Sequence, residues 1–167
     1  MKHQSDILAL KYRPTDFKDL IGQEYLVETI QKSIELNKIP NAYIFTGIRG
    51  VGKTTTARIV AKMLNCTAFD QNNKPDLSNC DQAKAISEDR HPDVIEIDAA
   101  SNTSVENARE IIENVKYNPV LGNYKVYIID EVHMLSKSAF NALLKTLEEP
   151  PPHSKFIFAT TEISKVP

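Results

Sequence analysis

Apolar positions along the chain follow two patterns, one typical of strands and the other of helices. Short, mostly apolar runs predict strands at 42–46, 94–98, 125–129 and 155–159. Apolar residues at helical spacing predict helices over 25–37, 53–64, 105–115 and 137–148, with a shorter helix over 81–88. Because strands alternate with helices, we expect an α/β fold in which helices cover both faces of a largely parallel sheet.

Breaks between these segments carry the residues that end helices and form turns. Asn37 and Pro40 close the first predicted helix, and Ser104 is a plausible N-cap for the helix that follows it. Residues 65–80 are polar and rich in Asn and Asp, which predicts a surface loop inserted between two helices. We therefore expect one domain over 1–167 with an insertion at 65–80.

Composition narrows the class of protein without pointing to a ligand. Apolar residues make up 41% of the chain and charged residues 25%, which is ordinary for a soluble globular protein. The net charge of -2 and the sequence pI of about 6.1 give no support for nucleic-acid binding by the chain as a whole. Neither a membrane-spanning run nor the apolar core of a signal peptide is present, so we expect a cytoplasmic protein with no membrane association.

One motif predicts the chemistry. The residues from 47 to 54 fit the phosphate-binding pattern G-x-x-x-x-G-K-[ST], and they are Gly47, Ile48, Arg49, Gly50, Val51, Gly52, Lys53 and Thr54. The motif joins a predicted strand to a predicted helix, so its backbone N–H groups and the helix dipole would face a phosphate. We expect Lys53 to reach the β- and γ-phosphates and Thr54 to ligate Mg²⁺. Thr55 extends the predicted nucleotide contact.

A second group of polar residues follows two later strands. Asp130 and Glu131 end the third predicted strand, where a P-loop protein places the aspartate that holds Mg²⁺. Glu131 then becomes the candidate to position or deprotonate a water. His133 is predicted to be solvated or satisfied within the core rather than to act as a base or ligand. At the end of the fourth strand, Thr160 or Thr161 could sense the γ-phosphate through its hydroxyl.

Longer strings around these motifs resemble a known family. Segments 47–54, 96–101, 129–135 and 141–151 together resemble the DnaX family, the gamma/tau subunits of the bacterial DNA polymerase III clamp loader, which are AAA+ ATPases. The resemblance runs from Tyr12 to Pro167, and several strings are far longer than a generic P-loop motif. It implies a P-loop NTPase fold of three αβα layers, with this chain as the N-terminal nucleotide-binding domain.

The resemblance also implies function and partners. It implies ATP-driven loading of the sliding clamp onto primed DNA within a DNA polymerase III holoenzyme. The partners would be delta, delta prime and further gamma/tau copies, besides the clamp and the DNA. By the same resemblance Tyr12, Arg13 and Pro14 would contact the adenine side of ATP, and Thr161 rather than Thr160 would sense phosphate.

An alternative from the residues is a nucleotide-binding structural subunit that does not hydrolyse ATP. A small-molecule kinase is less favoured, because no substrate pocket or lid arginines are evident.

Two departures from the family qualify this picture. Family members usually carry four zinc-binding cysteines in the insertion, whereas only Cys66 and Cys80 are present here, with Lys74 and Leu77 at the middle positions. We expect no structural zinc, because a closed site needs four N or S ligands. The two cysteines could form a disulfide if their Cα atoms lie within reach of each other.

The second departure is the end of the chain at Pro167. In the family, a Ser-Arg-Cys segment, a fifth strand, a small helical lid and a collar follow. We therefore expect an incomplete domain, weak or inactive alone, whose phosphate-loop strand is partly unpaired.

Overall fold

Four parallel strands form the sheet in the computed structural model, which describes residues 24–48 and 52–166. They are β1 (Ala42–Thr46), β2 (Val94–Asp98), β3 (Lys125–Asp130) and β4 (Ser154–Thr160). Their spatial order is β1-β4-β3-β2, so chain neighbours β1 and β2 lie at opposite edges. Among the described strands, β1 pairs with β4 alone, and the partner of Ala42 is Phe156. All three strand pairs are parallel, as the alternating pattern predicts.

Helices fill the connections between the strands. They are α1 (Glu24–Glu35), α2 (Lys53–Asn65), α3 (Asp81–Ser87), α4 (Val105–Val115) and α5 (Lys137–Glu148), with 3-10 turns at Leu77–Asn79, Val132–Met134 and Ile163–Lys165. The predicted helices and strands are confirmed within about two residues. The insertion loop begins at Cys66 rather than at residue 65, because Asn65 is the last residue of α2. No helix in the described ranges is both long and apolar enough to cross a bilayer.

The alternating faces of β3 explain why its sequence is apolar throughout. Tyr127 and Ile129 pack into a cluster with residues of α4 and α5 on one face of the sheet. Val126 and Ile128 pack on the other face against residues of α1 and α2. Every β4 residue is buried too, whereas most of β1 is exposed or half-buried. The fold is therefore a three-layer αβα arrangement whose central strands are covered on both faces.

Asp93 fixes the loop that leads into β3. Its side chain is fully buried and its two carboxylate oxygens accept backbone N–H bonds of 2.7 Å from Val120, Leu121 and Gly122. Burial alone would raise the pKa of Asp93, but these three donors outweigh it and hold the pKa below its usual value. The loop is thus tied to the start of β2 by one buried carboxylate.

Gly122 in the same loop lies against the end of α2. The side-chain oxygen of fully buried Asn65 accepts the Tyr124 N–H at 2.8 Å. A Cβ atom on Gly122 would lie 2.6 Å from that oxygen and 2.7 Å from Asn65 Cγ. This close approach requires a residue without a side chain.

We expect Gly122→Ala to lower the free energy of unfolding by about 1–3 kcal/mol, because the added methyl overpacks against Asn65. Thermal unfolding of the single and double variants would measure the effect. In an Asn65→Ala background the clash is removed, so Gly122→Ala should add little further loss. Equal losses in both backgrounds would contradict this explanation.

Candidate nucleotide-binding site

The predicted phosphate loop runs from the end of β1 to the first turn of α2. Arg49, Gly50 and Val51 lie outside the described residues, but both ends of the loop are described. Gly52, immediately before α2, has φ 86°, and Gly47 has φ 151°. A side chain at Gly52 would meet no atom within 4 Å, so its left-handed backbone, not lack of space, favours glycine there.

Lys53 lies over this loop. Its Nζ donates hydrogen bonds of 2.9 Å to the backbone oxygens of Gly47 and Ile48. The ammonium group therefore sits where the loop and the N-terminus of α2 meet. A phosphate bound there would face both this charge and the helix dipole.

Thr54 connects the phosphate loop to the acidic end of β3. Its hydroxyl donates to Asp130 Oδ2 at 2.9 Å, although the two residues are far apart in sequence. The other oxygen, Asp130 Oδ1, accepts the Glu131 N–H at 2.9 Å. A hydroxyl and a carboxylate side by side are oxygen donors that suit Mg²⁺ beside a phosphate. Thr54 and Asp130 are thus placed together as the sequence predicts, and they fit the expected ion.

Glu131 occupies a constrained position next to Asp130. Its φ of 51° is in the left-handed region, which is uncommon for a residue with a side chain. Its Oε2 atom accepts hydrogen bonds from the Thr161 hydroxyl at 3.0 Å and from the Thr161 N–H at 3.4 Å. The ends of β3 and β4 are therefore joined through this carboxylate. Backbone strain at such a position is a common feature of functional sites.

His133 belongs to the same group, and of the two expected situations, solvated or satisfied within the core, the structure shows the second. Its side chain is 9% exposed and its Nδ1 lies 3.3 Å from Glu131 Oε2. The same nitrogen is 2.8 Å from the hydroxyl of Thr160, which also accepts the Glu162 N–H at 3.0 Å. Sequence reasoning missed this because a single histidine after an acidic pair carries no spacing signal. The contact exists only because the 3-10 turn returns His133 toward β4.

The two threonines at the end of β4 have different surroundings. Thr160 is fully buried and bonded to His133, whereas Thr161 is half-buried and bonded to Glu131. Thr161 also lines a cleft of about 490 Å³. The cleft's other lining residues are Ile48, Ala100, Glu131, His133, Met134 and Glu162. Thr161 is therefore the threonine that faces the open space near the phosphate loop.

Other predicted site residues lie elsewhere or outside the described residues. Tyr12, Arg13 and Pro14 fall in the part of the chain that is not described. Cys66 follows the last residue of α2, at the opposite end of that helix from Lys53. Within the described ranges, no group of three or more His, Cys, Asp or Glu side chains could hold a metal ion.

Comparison with known proteins gives the family. A family profile described as "DNA polymerase III, delta subunit" matches residues 22–167. The chain belongs to this family. Within it, the chain is 53% identical over 161 residues to the DNA polymerase III subunit gamma of Buchnera aphidicola subsp. Schizaphis graminum, a match that covers 96% of this chain and 44% of that protein. It is also 51% identical over 161 residues to DNA polymerase III subunit tau/gamma of Haemophilus influenzae, covering 96% and 23%.

These relatives confirm the resemblance to the gamma/tau subunits, and a solved structure supports the fold. RuvB from Thermotoga maritima has a TM-score of 0.62 and 17% identity, covering 94% of this chain and 45% of that one. The three-layer αβα fold with a parallel sheet that the sequence predicts is thereby confirmed. This chain spans 23% and 44% of the lengths of these two relatives.

Proposed function

We propose that this member of the DNA polymerase III subunit family binds ATP and hydrolyses it as a motor of the clamp loader. The observation that carries the proposal is the 2.9 Å bond between Thr54 and Asp130, which joins the phosphate loop to the acidic strand end. Two motifs far apart in sequence, one for phosphate and one for Mg²⁺, thus lie together as a P-loop nucleotide site requires. ATP hydrolysis would then drive the loading of a sliding clamp onto primed DNA.

Each proposed site residue has a distinct role. Lys53 binds phosphate oxygens once its ammonium leaves the carbonyls of Gly47 and Ile48. Thr54 and Asp130 would hold Mg²⁺, which would supply positive charge beside the phosphates. Glu131 orients the attacking water and takes its proton. Thr161, whose hydroxyl donates to Glu131, acts as the sensor of the γ-phosphate.

The partners follow from the family and remain part of the proposal. We place the protein in the cytoplasm, in a ring with delta, delta prime and further gamma/tau copies. The sliding clamp and primed DNA would be bound by that ring rather than by this domain alone. Tyr12, Arg13 and Pro14 would contribute on the adenine side of the nucleotide.

Lys53→Ala tests the binding step. We expect the dissociation constant for a fluorescent ATP analogue with Mg²⁺ to rise about tenfold to a hundredfold, because a charge-assisted hydrogen bond to phosphate is lost. Lys116→Ala is the matched control, since that exposed lysine pairs only locally with Glu113 at 2.9 Å. Equal affinities for the wild type and Lys53→Ala would remove the basis for a nucleotide site.

His133 should act as a positioning residue for Glu131. We expect His133→Ala to lower kcat for ATP hydrolysis in the assembled complex about tenfold, with little change in KM, because the carboxylate loses a neighbour that fixes its orientation. His133→Gln should lose less, since its amide can still hydrogen bond to Thr160. A change in KM alone, or identical losses for both variants, would argue for a merely structural role.

A further inference from the structure

Cys66 and Cys80 lie side by side at the base of the insertion loop. Both are free thiols, 1% and 4% exposed, and they pack in one small cluster with Ala83. The Cys66 thiol donates a hydrogen bond of 3.1 Å to the backbone oxygen of Ala68. Cys66 directly follows α2 and Cys80 directly precedes α3. The loop between them therefore leaves and returns at the same point.

The surroundings of the two sulfurs are not equivalent. The Cys80 sulfur lies beside the Cys66 side chain and near the backbone of Ala83, Thr67 and Ala68. Burial would raise the pKa of Cys80, but these polar neighbours together leave it below its usual value. Burial raises the pKa of Cys66 to about 12. Cys80 is thus the better thiolate, and Cys66 is held beside it as a thiol.

A cleft gives access to the better thiolate. Its volume is about 410 Å³ and Cys80 forms part of its wall. Lys62 and Lys84 also line it, together with one carboxylate, Asp81. Neighbouring lysines favour a thiolate and promote its reaction with small electrophiles. Cys66 is not among the lining residues, so the cleft presents only one of the two sulfurs.

From this arrangement we propose that Cys80 and Cys66 form a peroxide-sensitive pair that closes to a reversible intramolecular disulfide. The Cys80 thiolate attacks one oxygen of hydrogen peroxide, the O–O bond breaks, and Cys80 sulfenic acid and hydroxide result. The Cys66 sulfur then attacks the Cys80 sulfur, the S–O bond breaks, and the Cys66 proton leaves with that oxygen as water. Two thiols are oxidised and one peroxide is reduced, and a small-molecule thiol reverses the step by exchange.

The chain offers a direct measurement of this bond. Trypsin cleaves after Lys62 and Lys84 but spares Lys74, because Pro75 follows it, so both cysteines fall in one peptide, 63–84. The full-length protein is treated with hydrogen peroxide, unfolded, alkylated with N-ethylmaleimide and digested. We expect the peptide to appear two hydrogens lighter and without adducts. Dithiothreitol before alkylation should restore two adducts.

Rate comparisons distinguish a cysteine pair positioned by the fold from ordinary thiol oxidation. We expect the pair to close about tenfold faster in the folded protein than in the same protein unfolded in urea, because folding supplies both the thiolate and its partner. Equal or slower closure in the folded state would overturn the proposal. So would two alkylatable thiols in peptide 63–84 after peroxide, or a bond from either cysteine to a different one.

Single variants identify the attacking sulfur. In Cys66→Ser, Cys80 should accumulate as a sulfenic acid that dimedone traps. In Cys80→Ser, Cys66 should stay alkylatable under the same treatment. Dimedone capture at Cys66 instead would reverse the assignment and overturn the proposed order. If either variant folds poorly, the wild-type rates in folded and unfolded protein still decide the matter.

Discussion

Glu131→Gln should lower the rate of ATP hydrolysis by about a hundredfold or more while leaving ATP binding intact. The glutamine has the same shape and its amide oxygen can still accept the Thr161 hydroxyl bond, but it cannot take a proton from water. Binding should persist because Lys53, Thr54 and Asp130 are unchanged. Steady-state hydrolysis by the assembled complex, with the clamp and primed DNA, measures the first effect, and titration with an ATP analogue measures the second.

The same experiment separates the two proposed functions. Glu149→Gln, at an exposed position after α5, is the matched control and should behave as the wild type. A nucleotide-binding structural subunit would show no hydrolysis to lose, so the wild type and Glu131→Gln would be equal. Loss of binding together with hydrolysis would instead mean that Glu131 supports the site's structure. Only a loss of hydrolysis with ATP binding retained supports a motor function.

Asp93→Asn should produce the largest loss of stability, about 2–4 kcal/mol. An amide cannot accept all three N–H bonds that the carboxylate accepts, and it places N–H donors against backbone donors in a buried site. Thermal unfolding measures the global loss, and amide hydrogen exchange at Val120, Leu121 and Gly122 measures the local one. Asp70→Asn is the control, because Asp70 accepts two N–H bonds, from Asn72 and Lys74, but in an exposed loop.

Acid should reduce the difference in the free energy of unfolding between Asp93→Asn and the wild type. The folded-state pKa of Asp93 lies below its usual value of 3.8, so its contribution to stability is complete above pH 3.8 and is lost as the pH falls through the folded-state pKa. Burial also lowers the pKa of His91 from 6.5, which makes both proteins less stable at mildly acidic pH. Because the Asp93 charge opposes this shift of the His91 pKa, both proteins are compared in a His91→Gln background, where the difference between them isolates Asp93. A difference that stays constant below pH 3.8, or equal losses for the Asp70 and Asp93 variants, would contradict the assignment.

Local patterns in the sequence predict most of the fold and the principal site residues. β3 and β4 are apolar because they are buried on both faces, and that character is readable without coordinates. Lys53, Thr54, Asp130 and Glu131 belong to motifs whose spacing is dictated by phosphate and Mg²⁺. Their placement together at the strand ends follows from the parallel sheet, in which carboxyl ends share one edge.

Contacts between distant, unpatterned residues could not be predicted in this way. Asp93 looks like an ordinary turn residue, and its three donors come from a loop that follows α4. His133 contacts Glu131 because residue 131 adopts a left-handed backbone and the chain then turns sharply. No repeating pattern in the sequence marks either contact. Each depends on how distant segments come together in the folded chain.

The pairing of β1 with β4 has a consequence for how the protein is made. Ala42 is synthesised early, yet its partner Phe156 emerges from the ribosome only near the end of this segment. Non-local pairing forms slowly, and β1 has no strand partner until β4 has been synthesised. The phosphate loop follows β1 and Thr161 follows β4, so the two sides of the site come together only when these strands pair. A nascent chain stalled before β4 should have β1 without a strand partner and should lack a working nucleotide pocket.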